Sequence, residues 1–492
     1  MAEPETLLHN ILARIEAQPE KTALRAGSEG LTYAQLGARI FAAAGRLEAR
    51  GIGRGDRVLL CCANHLHFPV LYFALHARGA IAVPLAPDTP AATVASVAAV
   101  CEASLAVLDK AAGELPCPIE EPAALTTPDE GGLVPKALCR GEEIADILFT
   151  TGTTGKKKGV VLTHANVLAA ARNMTEFIGT TVEDVEVVPL PLSHSFGLGR
   201  LRCLAVVGHT IVLEPGVGNG AMVVKRLLDA RATGLALVPA GFEILRQVTG
   251  DALGRAAAHL RYIEIGSAPM KPETRQWLMR LLPGTRICHH YGLTEASRAA
   301  FTEFHGDAAR GGTAGSATPN VVITICGESG DPLPAGETGE VVVRGGMVMR
   351  EYWKDPDLTH ATFCSHGLRT GDIGYLDEDG YLFLLGRRSD LINVGGRKVA
   401  PDEIEECLKL MDGVLDAACV PEPDPLTGEC VKAYVVSDRT IESGEVAAFL
   451  RARVEEYKIP RAVERIERIP RTNSGKVQRQ LLRAGGEVPV GS

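Results

Sequence analysis

The feature that most constrains the fold is an alternation, renewed along the first half of the chain, between helical apolar spacing and short continuous apolar runs. LTYAQLGARIFAAAGRLEARG offers Thr32 as an N-cap with Gln35 three residues on, a capping box, followed by helical apolar spacing and a terminating Gly51. DRVLLCCA then reads as a buried strand, and FPVLYFALHARGAIAVPLAP as a helix leading into another strand. VVPLPL, TIVLEP and GLALVPA continue the pattern. Strands with no polar face need cover on both sides, which crossover helices supply. An α/β fold with largely parallel sheets is expected.

A chain of 492 residues exceeds what one hydrophobic core supports, so at least two domains are expected. From about Gly336 the texture changes to short strands and turns: GEVVVRG, then DIGYL and YLFLLG flanking DEDG, which has the chemistry of a tight turn. VAPDEIEECLKLM opens a helix, with Pro401 early and Asp402 and Glu403 at its positive end. Between hairpin and helix lies the polar, glycine-rich GRRSDLINVGG. A boundary near Ser389 is expected, dividing 1–388 from a C-terminal domain 389–492.

A net charge of -9 argues against a general nucleic-acid binder, so any anion site must be local. The twelve cysteines form no CxxC pair and no metal-ligand spacing, which suits reduced thiols in the cytoplasm. MAEPETLLHN lacks the basic and apolar regions of a signal peptide. No apolar run reaches the roughly 18 residues of a membrane span. A soluble cytoplasmic protein is expected.

Four segments carry chemistry. DILFTTGTTGKKKGVVLTHANV passes from an apolar strand, Ile147 to Phe149, through a Thr/Gly/Lys loop to another, Val160 to Leu162. Glycines let backbone N–H groups converge on an anion, and hydroxyls and lysines add donors. It is a phosphate cradle by composition but not a Walker A loop, and alone it fits a solvated basic turn equally well. HHYGLTEAS places Tyr291, Thr294 and Glu295 within five residues: a flat partner for a base, a phosphate donor and a hard oxygen for Mg²⁺, or else an ordinary strand-to-helix turn. RTGDIGYLDEDGYLFLLGRRSD offers Asp372 to ribose hydroxyls and Arg387 for a charge-assisted bond. IPRTNSGKVQRQLL sets Lys476 after Gly475, where a surface lysine is the default reading.

In order and spacing the four segments together resemble the adenylate-forming superfamily of acyl- and aryl-CoA synthetases, amino-acid adenylation domains and beetle luciferases. The resemblance runs from LTYAQL to PRTNSGK. It implies a large N-terminal domain with two α/β/α sheets and a small β-barrel-like subdomain, and a small mobile α+β C-terminal domain. It also implies two steps: a carboxylate attacks the α-phosphate of MgATP and releases pyrophosphate, then a thiol displaces AMP from the acyl-adenylate. On this resemblance Thr150, Thr151, Gly152, Thr153, Thr154 and Lys158 would cradle the β- and γ-phosphates. Tyr291, beside Gly292, would stack on adenine, Thr294 would hold the α-phosphate, and Glu295 would bind Mg²⁺. Asp372 and Arg387 would hold the ribose, and Lys476 would bridge the carboxylate and α-phosphate. Gly266, Ser267 and Ala268, in IGSAPM, resemble the pocket wall of acyl- and aryl-acid enzymes. The catalytic set so implied is Lys476, Thr294, Glu295 and His194, with ATP, Mg²⁺ and CoA as cofactors.

Thr151 stands where the family usually has Ser, Lys157 where it usually has Pro, and Ser389 where relatives often carry Asp or Lys at the hinge. His194, in PLSHSFGLG, stands where amino-acid-activating relatives place the Asp that pairs with the substrate ammonium; the resemblance therefore favours an acid without an α-amino group. A structural role for His194 remains open beside that of a gate. Arg298 reads either as a contact to a polar substrate tail or, by default, as a salt bridge elsewhere, and Phe242 as packing. NVGGRKVAPDEIE matches the loop lining the thiol tunnel of thioester-forming members, with Gly395 and Gly396 admitting a pantetheine arm. The expected acceptor is CoA, with a separate phosphopantetheinyl carrier protein as the alternative. A non-catalytic nucleotide-binding homologue is a third reading, disfavoured by the retained Glu295, Asp372, Arg387 and Lys476.

Overall fold

The computed structural model describes residues 5–110, 113–127, 139–151, 157–216, 218–388, 390–395, 397–451, 453–471 and 477–483. The chain forms two compact units, Met1–Ile323 with Val343–Leu368, and Thr324–Val342 with Arg369–Ser492. The architecture is mixed α/β, with a large N-terminal and a small C-terminal domain, as expected.

The first unit holds two sheets. In one, the parallel strands Arg286–Tyr291, Tyr262–Ile265, Gly234–Leu237, Val185–Val188, Thr210–Leu213 and Thr22–Ala26 are neighbours in that order, with antiparallel strands at either side. In the other, Ile144–Thr151, Ile81–Pro84, Arg57–Cys61, Leu105–Leu108 and Ile119–Glu120 run parallel, and the hairpin strand Lys157–Thr163 turns back on Ile144–Thr151. The apolar runs read as buried strands are these strands. Thr32 caps the helix Tyr33–Ala49 through a complete capping box with Gln35, and Gly51 follows with φ 76°.

The helix Ser195–Val207 is buried almost throughout, and two arginines tie it to both sheets. Arg200 bonds Glu186 at 2.6 and 2.7 Å and Glu264 at 3.1 Å in the first sheet. Arg202 reaches Asp146 at 2.5 Å in the second, beside the Tyr72 hydroxyl at 3.0 Å. Buried charges persist only when paired and hydrogen-bonded, and each guanidinium here meets a carboxylate.

In the second unit, Gly367–Leu376 and Tyr381–Arg387 form an antiparallel hairpin whose turn is closed by Asp377, which accepts from the Asp379 and Tyr381 amides. Further on, Ile392–Val394, Arg397–Val399, Val414–Asp424, Gly428–Ser437 and Ala462–Arg465 form a sheet against the helix Pro401–Lys409. That helix starts with Pro401 and carries Asp402 and Glu403 in its first turn, where the helix dipole favours anions. None of the twelve cysteines is joined in a disulfide. Among the described residues no helix is long and apolar enough to cross a membrane.

Candidate active site

The strand Arg286–Tyr291 delivers Tyr291 to its end, and the chain returns antiparallel as Ala300–Glu303, with Tyr291 opposite Ala300. The intervening segment is therefore a strand-to-strand turn, not a strand-to-helix one. It is tight: a Cβ on Gly292 would lie 2.5 Å from the Arg298 amide nitrogen, so only glycine fits. Leu293 N–H bonds the Ala296 carbonyl at 3.0 Å. Tyr291, Thr294 and Glu295 are all half-buried on this turn.

A segment from farther along the chain fastens the turn to the lysine-bearing hairpin. Met349 N–H donates to the Glu295 carbonyl at 2.8 Å, and Ala296 bridges Val348. Arg350 N–H bonds the Val161 carbonyl at 3.0 Å, Trp353 N–H bonds the Gly159 carbonyl at 2.7 Å, and Tyr352 registers with Val160. The Tyr352 hydroxyl donates to Glu295 Oε1 at 2.8 Å, and Lys158 Nζ lies 5.5 Å from the Tyr352 ring centroid. One tyrosine thus joins the carboxylate expected for Mg²⁺ to a lysine expected for phosphate. Sequence reasoning missed Tyr352, which sits in a two-residue strand, Glu351–Tyr352, too short to show alternation. Thr150 is opposite Lys158 and Thr151 opposite Lys157 in the hairpin; Gly152, Thr153 and Thr154 lie outside the described residues.

Gly266, Ser267 and Ala268 follow the neighbouring strand Tyr262–Ile265. The His290 imidazole packs so closely on Gly266 that a Cβ there would sit 1.9 Å from its Cε1. Ser267 holds a left-handed φ of 77°, a strained conformation for a non-glycine residue. His289 Nε2 donates to the Ala268 carbonyl at 3.0 Å, and burial pushes its pKa down to about 4.

Arg298, at the end of the turn, is spent on structure. Its Nε bonds Glu264 at 3.0 Å, and Nη1 and Nη2 donate to the Ser195 and Phe196 carbonyls, each at 3.0 Å. Glu264 also faces Arg200 at 3.1 Å and His290 Nδ1 at 2.9 Å. Burial opposes ionisation of Glu264, but Arg298 and Arg200 hold its carboxyl well below the usual range. The salt-bridge reading of Arg298 is the one observed, and Phe242 is fully buried packing. His194 occupies the N-cap position of the helix Ser195–Val207 without a side-chain cap bond. Its ring reaches solvent, yet desolvation by crowding atoms lowers its pKa against the pull of Asp88, so the imidazole is neutral at pH 7.

In the second unit Asp372 and Arg387 stand directly opposite in the hairpin, with Arg387 Nε 2.7 Å from Asp372 Oδ1. Arg387 Nη1 also donates to the Thr370 carbonyl at 2.8 Å, and Asp372 N–H donates to the Thr370 hydroxyl at 3.1 Å. The two residues expected at the ribose are brought together. Gly395 adopts φ 58°, while Ser389, Gly396 and Lys476 lie outside the described residues.

In the first unit, a strand-end tyrosine with a carboxylate on the next turn and a threonine- and lysine-bearing hairpin have the donor set of a nucleotide-using enzyme, and the second unit by itself carries an Asp–Arg pair. Residues 12–353 match the family model of AMP-binding enzymes and residues 403–476 that of the AMP-binding enzyme C-terminal domain; the chain belongs to this family. It is 32% identical to a feruloyl-CoA synthase of Amycolatopsis sp, covering 96% of this chain and 97% of the relative. It is also 32% identical to a long-chain-fatty-acid–CoA ligase of Mycobacterium tuberculosis, covering 92% of each. The solved structure of o-succinylbenzoate coenzyme A synthetase from Bacillus subtilis in complex with ATP and magnesium ion is similar at 26% identity and a TM-score of 0.87, over 96% of this chain and 98% of that one.

Proposed function

We propose that this protein is an AMP-forming acid–thiol ligase. It activates a carboxylic acid lacking an α-amino group to an acyl-adenylate, with release of pyrophosphate, and transfers the acyl group to the thiol of CoA. The observation that carries the reading is the line Glu295–Tyr352–Lys158, which sets a carboxylate and a cation on either side of one tyrosine.

A carboxylate is a poor acyl donor at neutral pH, and bringing it to ATP gathers negative charge that the site must offset. Lys158, with the loop from Thr150, takes the β- and γ-phosphates; Thr294 holds the α-phosphate, Tyr291 stacks on adenine, and Asp372 with Arg387 takes the ribose hydroxyls. Gly266, Ser267 and Ala268 line the acid and adenine side. Glu295 fits a Mg²⁺ ligand: it is a half-buried hard oxygen donor oriented by Tyr352, and Mg²⁺ needs only one or two protein carboxylates when phosphates and water complete its shell. When bound there, Mg²⁺ neutralises phosphate charge. Lys476 bridges the incoming carboxylate and the α-phosphate. His194, uncharged, bounds the acid pocket.

The functional division falls at Ser389, with an adenylation domain 1–388 and a mobile domain 389–492 that presents Lys476 for the first step and the NVGGRKV segment for the second. Twelve cysteines with no disulfide among them support a cytoplasmic location. ATP–pyrophosphate exchange over fatty, aryl and dicarboxylic acids tests the adenylation step and identifies the acid. Free CoA against a phosphopantetheinylated carrier protein then identifies the acceptor. Lys476→Ala is expected to abolish exchange, by about 10²–10³-fold, while sparing thioester formation from a supplied acyl-adenylate; equal loss in both steps overturns its role.

A further inference from the structure

Within the second unit, three segments with separate duties converge on one guanidinium. Arg479 opens the short helix Arg479–Arg483, three residues beyond Lys476. It donates to Glu405 Oε1 at 2.7 Å and, in a shorter contact, to Asp402, both on the helix that follows the Ile392–Val394 and Arg397–Val399 hairpin. Its Nη1 lies 3.6 Å from Asp390, the residue after Ser389. Its Nε bonds the Cys419 carbonyl at 3.2 Å on the strand Val414–Asp424, and Cys419 N–H in turn donates to Glu405 at 2.7 Å. The side chain is 10% exposed, so its bonds to Glu405 and the Cys419 carbonyl are largely shielded from water, while the Asp402 arm lies at the surface.

The other stem of the lysine-bearing segment is fastened as well. Arg471 bridges Val477 across it, Gln478 N–H bonds the Pro470 carbonyl at 2.8 Å, and Arg471 Nη2 is 2.9 Å from both oxygens of Asp416. The hairpin is held differently: Ile392, Val394 and Val399 are buried in the apolar core of the unit. Ion pairs therefore reinforce the stems of the lysine segment, which Ile469, Val477 and Leu482 also anchor in a small apolar cluster, whereas the hairpin sits in the larger core of the unit.

We infer that Arg479 is a positioning residue: it ties the stem of the Lys476 segment to the helix behind the thiol-side hairpin and to the segment leaving Ser389, so that a rotation at Ser389 carries lysine and hairpin as one body. The inference rests on the function proposed above. A fork with several donors can serve three carboxylates and a carbonyl together, which a lysine cannot. Loss of the tether loosens the lysine segment, whose stems keep only the small apolar cluster and the Arg471–Asp416 pair, and leaves the hairpin in its core. The two half-reactions respond unequally.

The test uses the full-length protein with Arg479→Ala and Arg479→Lys, and Asp402→Asn as a milder variant that removes one exposed arm. Arg479→Ala is expected to lower kcat for ATP–pyrophosphate exchange by about 10–100-fold with the acid KM unchanged, since misplacing a reacting group by an ångström has that effect. Thioester formation from a supplied acyl-adenylate is expected to persist, Arg479→Lys to recover part of the loss, and amide hydrogen exchange at 471–478 to quicken in the order wild type, Asp402→Asn, Arg479→Lys, Arg479→Ala. Equal slowing of both half-reactions, or wild-type exchange at 471–478 in Arg479→Ala, overturns the tether. A wild-type protein that activates no acid overturns the proposed function instead, and the hydrogen-exchange arm still decides the tether.

Discussion

The Tyr352 hydroxyl donates to the Glu295 carboxylate over 2.8 Å while Lys158 sits 5.5 Å from the centre of the same ring. The relationship separates two contributions of one side chain. Tyr352→Phe keeps the face under Lys158 and removes the donor that orients Glu295. A hydrogen bond to a charged group contributes about 1.5–3 kcal/mol, so exchange is expected to fall by about tenfold and the Mg²⁺ requirement to rise. Tyr352→Leu, which also removes the cation–π contact, adds a rise in the KM for ATP. A Mg²⁺ titration unchanged in Tyr352→Phe would assign the tyrosine to packing alone.

Arg298→Met leaves Glu264 short of one partner and two first-turn helix carbonyls without a second donor. Breaking a buried pair by removing one member costs about 3–5 kcal/mol, visible as a lower midpoint in urea. The double variant Arg298→Met, Glu264→Gln is expected to lose less than the two singles summed, because the groups share one network.

On the proposed function, His194 bears on the choice of acid. Its pKa is lowered by desolvation, so it presents no charge at pH 7 and no counter-charge for a substrate ammonium. Acids without an α-amino group are expected to drive pyrophosphate exchange ahead of every α-amino acid, and the acid KM is expected to show no break near pH 6.5. An α-amino acid as the best substrate would reverse this reading.

Glu405 gives the second unit a pH dependence. Burial raises its pKa to about 7; Arg479, the Cys419 amide and Lys409 pull it down, and Asp402 pushes it up. The Asp390 carboxylate and the Cys419 thiol also face this cluster. The folded unit binds the proton more tightly than the unfolded chain, so the stability from this group is fully present below about pH 4.5 and lost as pH rises through 7. Hydrogen exchange in the helix Pro401–Lys409, corrected for intrinsic rate, is expected to quicken between those values in the wild type. Glu405→Gln flattens that trend.

Local rules carried much of the fold in the sequence. The capping box at Thr32 and Gln35, Pro401 at the start of its helix and the Asp377 turn are each written in a few neighbouring residues. Asp372 and Arg387 were legible as a pair because one short hairpin brings them opposite each other. Tyr352 was not, since its meaning depends on a partner 57 positions earlier. Nor do Arg200 and Arg202 announce burial: only the tertiary fold supplies Glu186, Glu264 and Asp146 from distant strands.

Arg298 belongs at once to the turn that carries Glu295 and to the first carbonyls of the helix that starts beside His194. That double membership limits how such a protein can acquire a new substrate. On the proposed function, a shift of the helix to widen the acid pocket would drag the turn with it and spoil the ATP side. On the same reading, a new substrate would have to come through side chains that reshape the pocket while the backbone stays still.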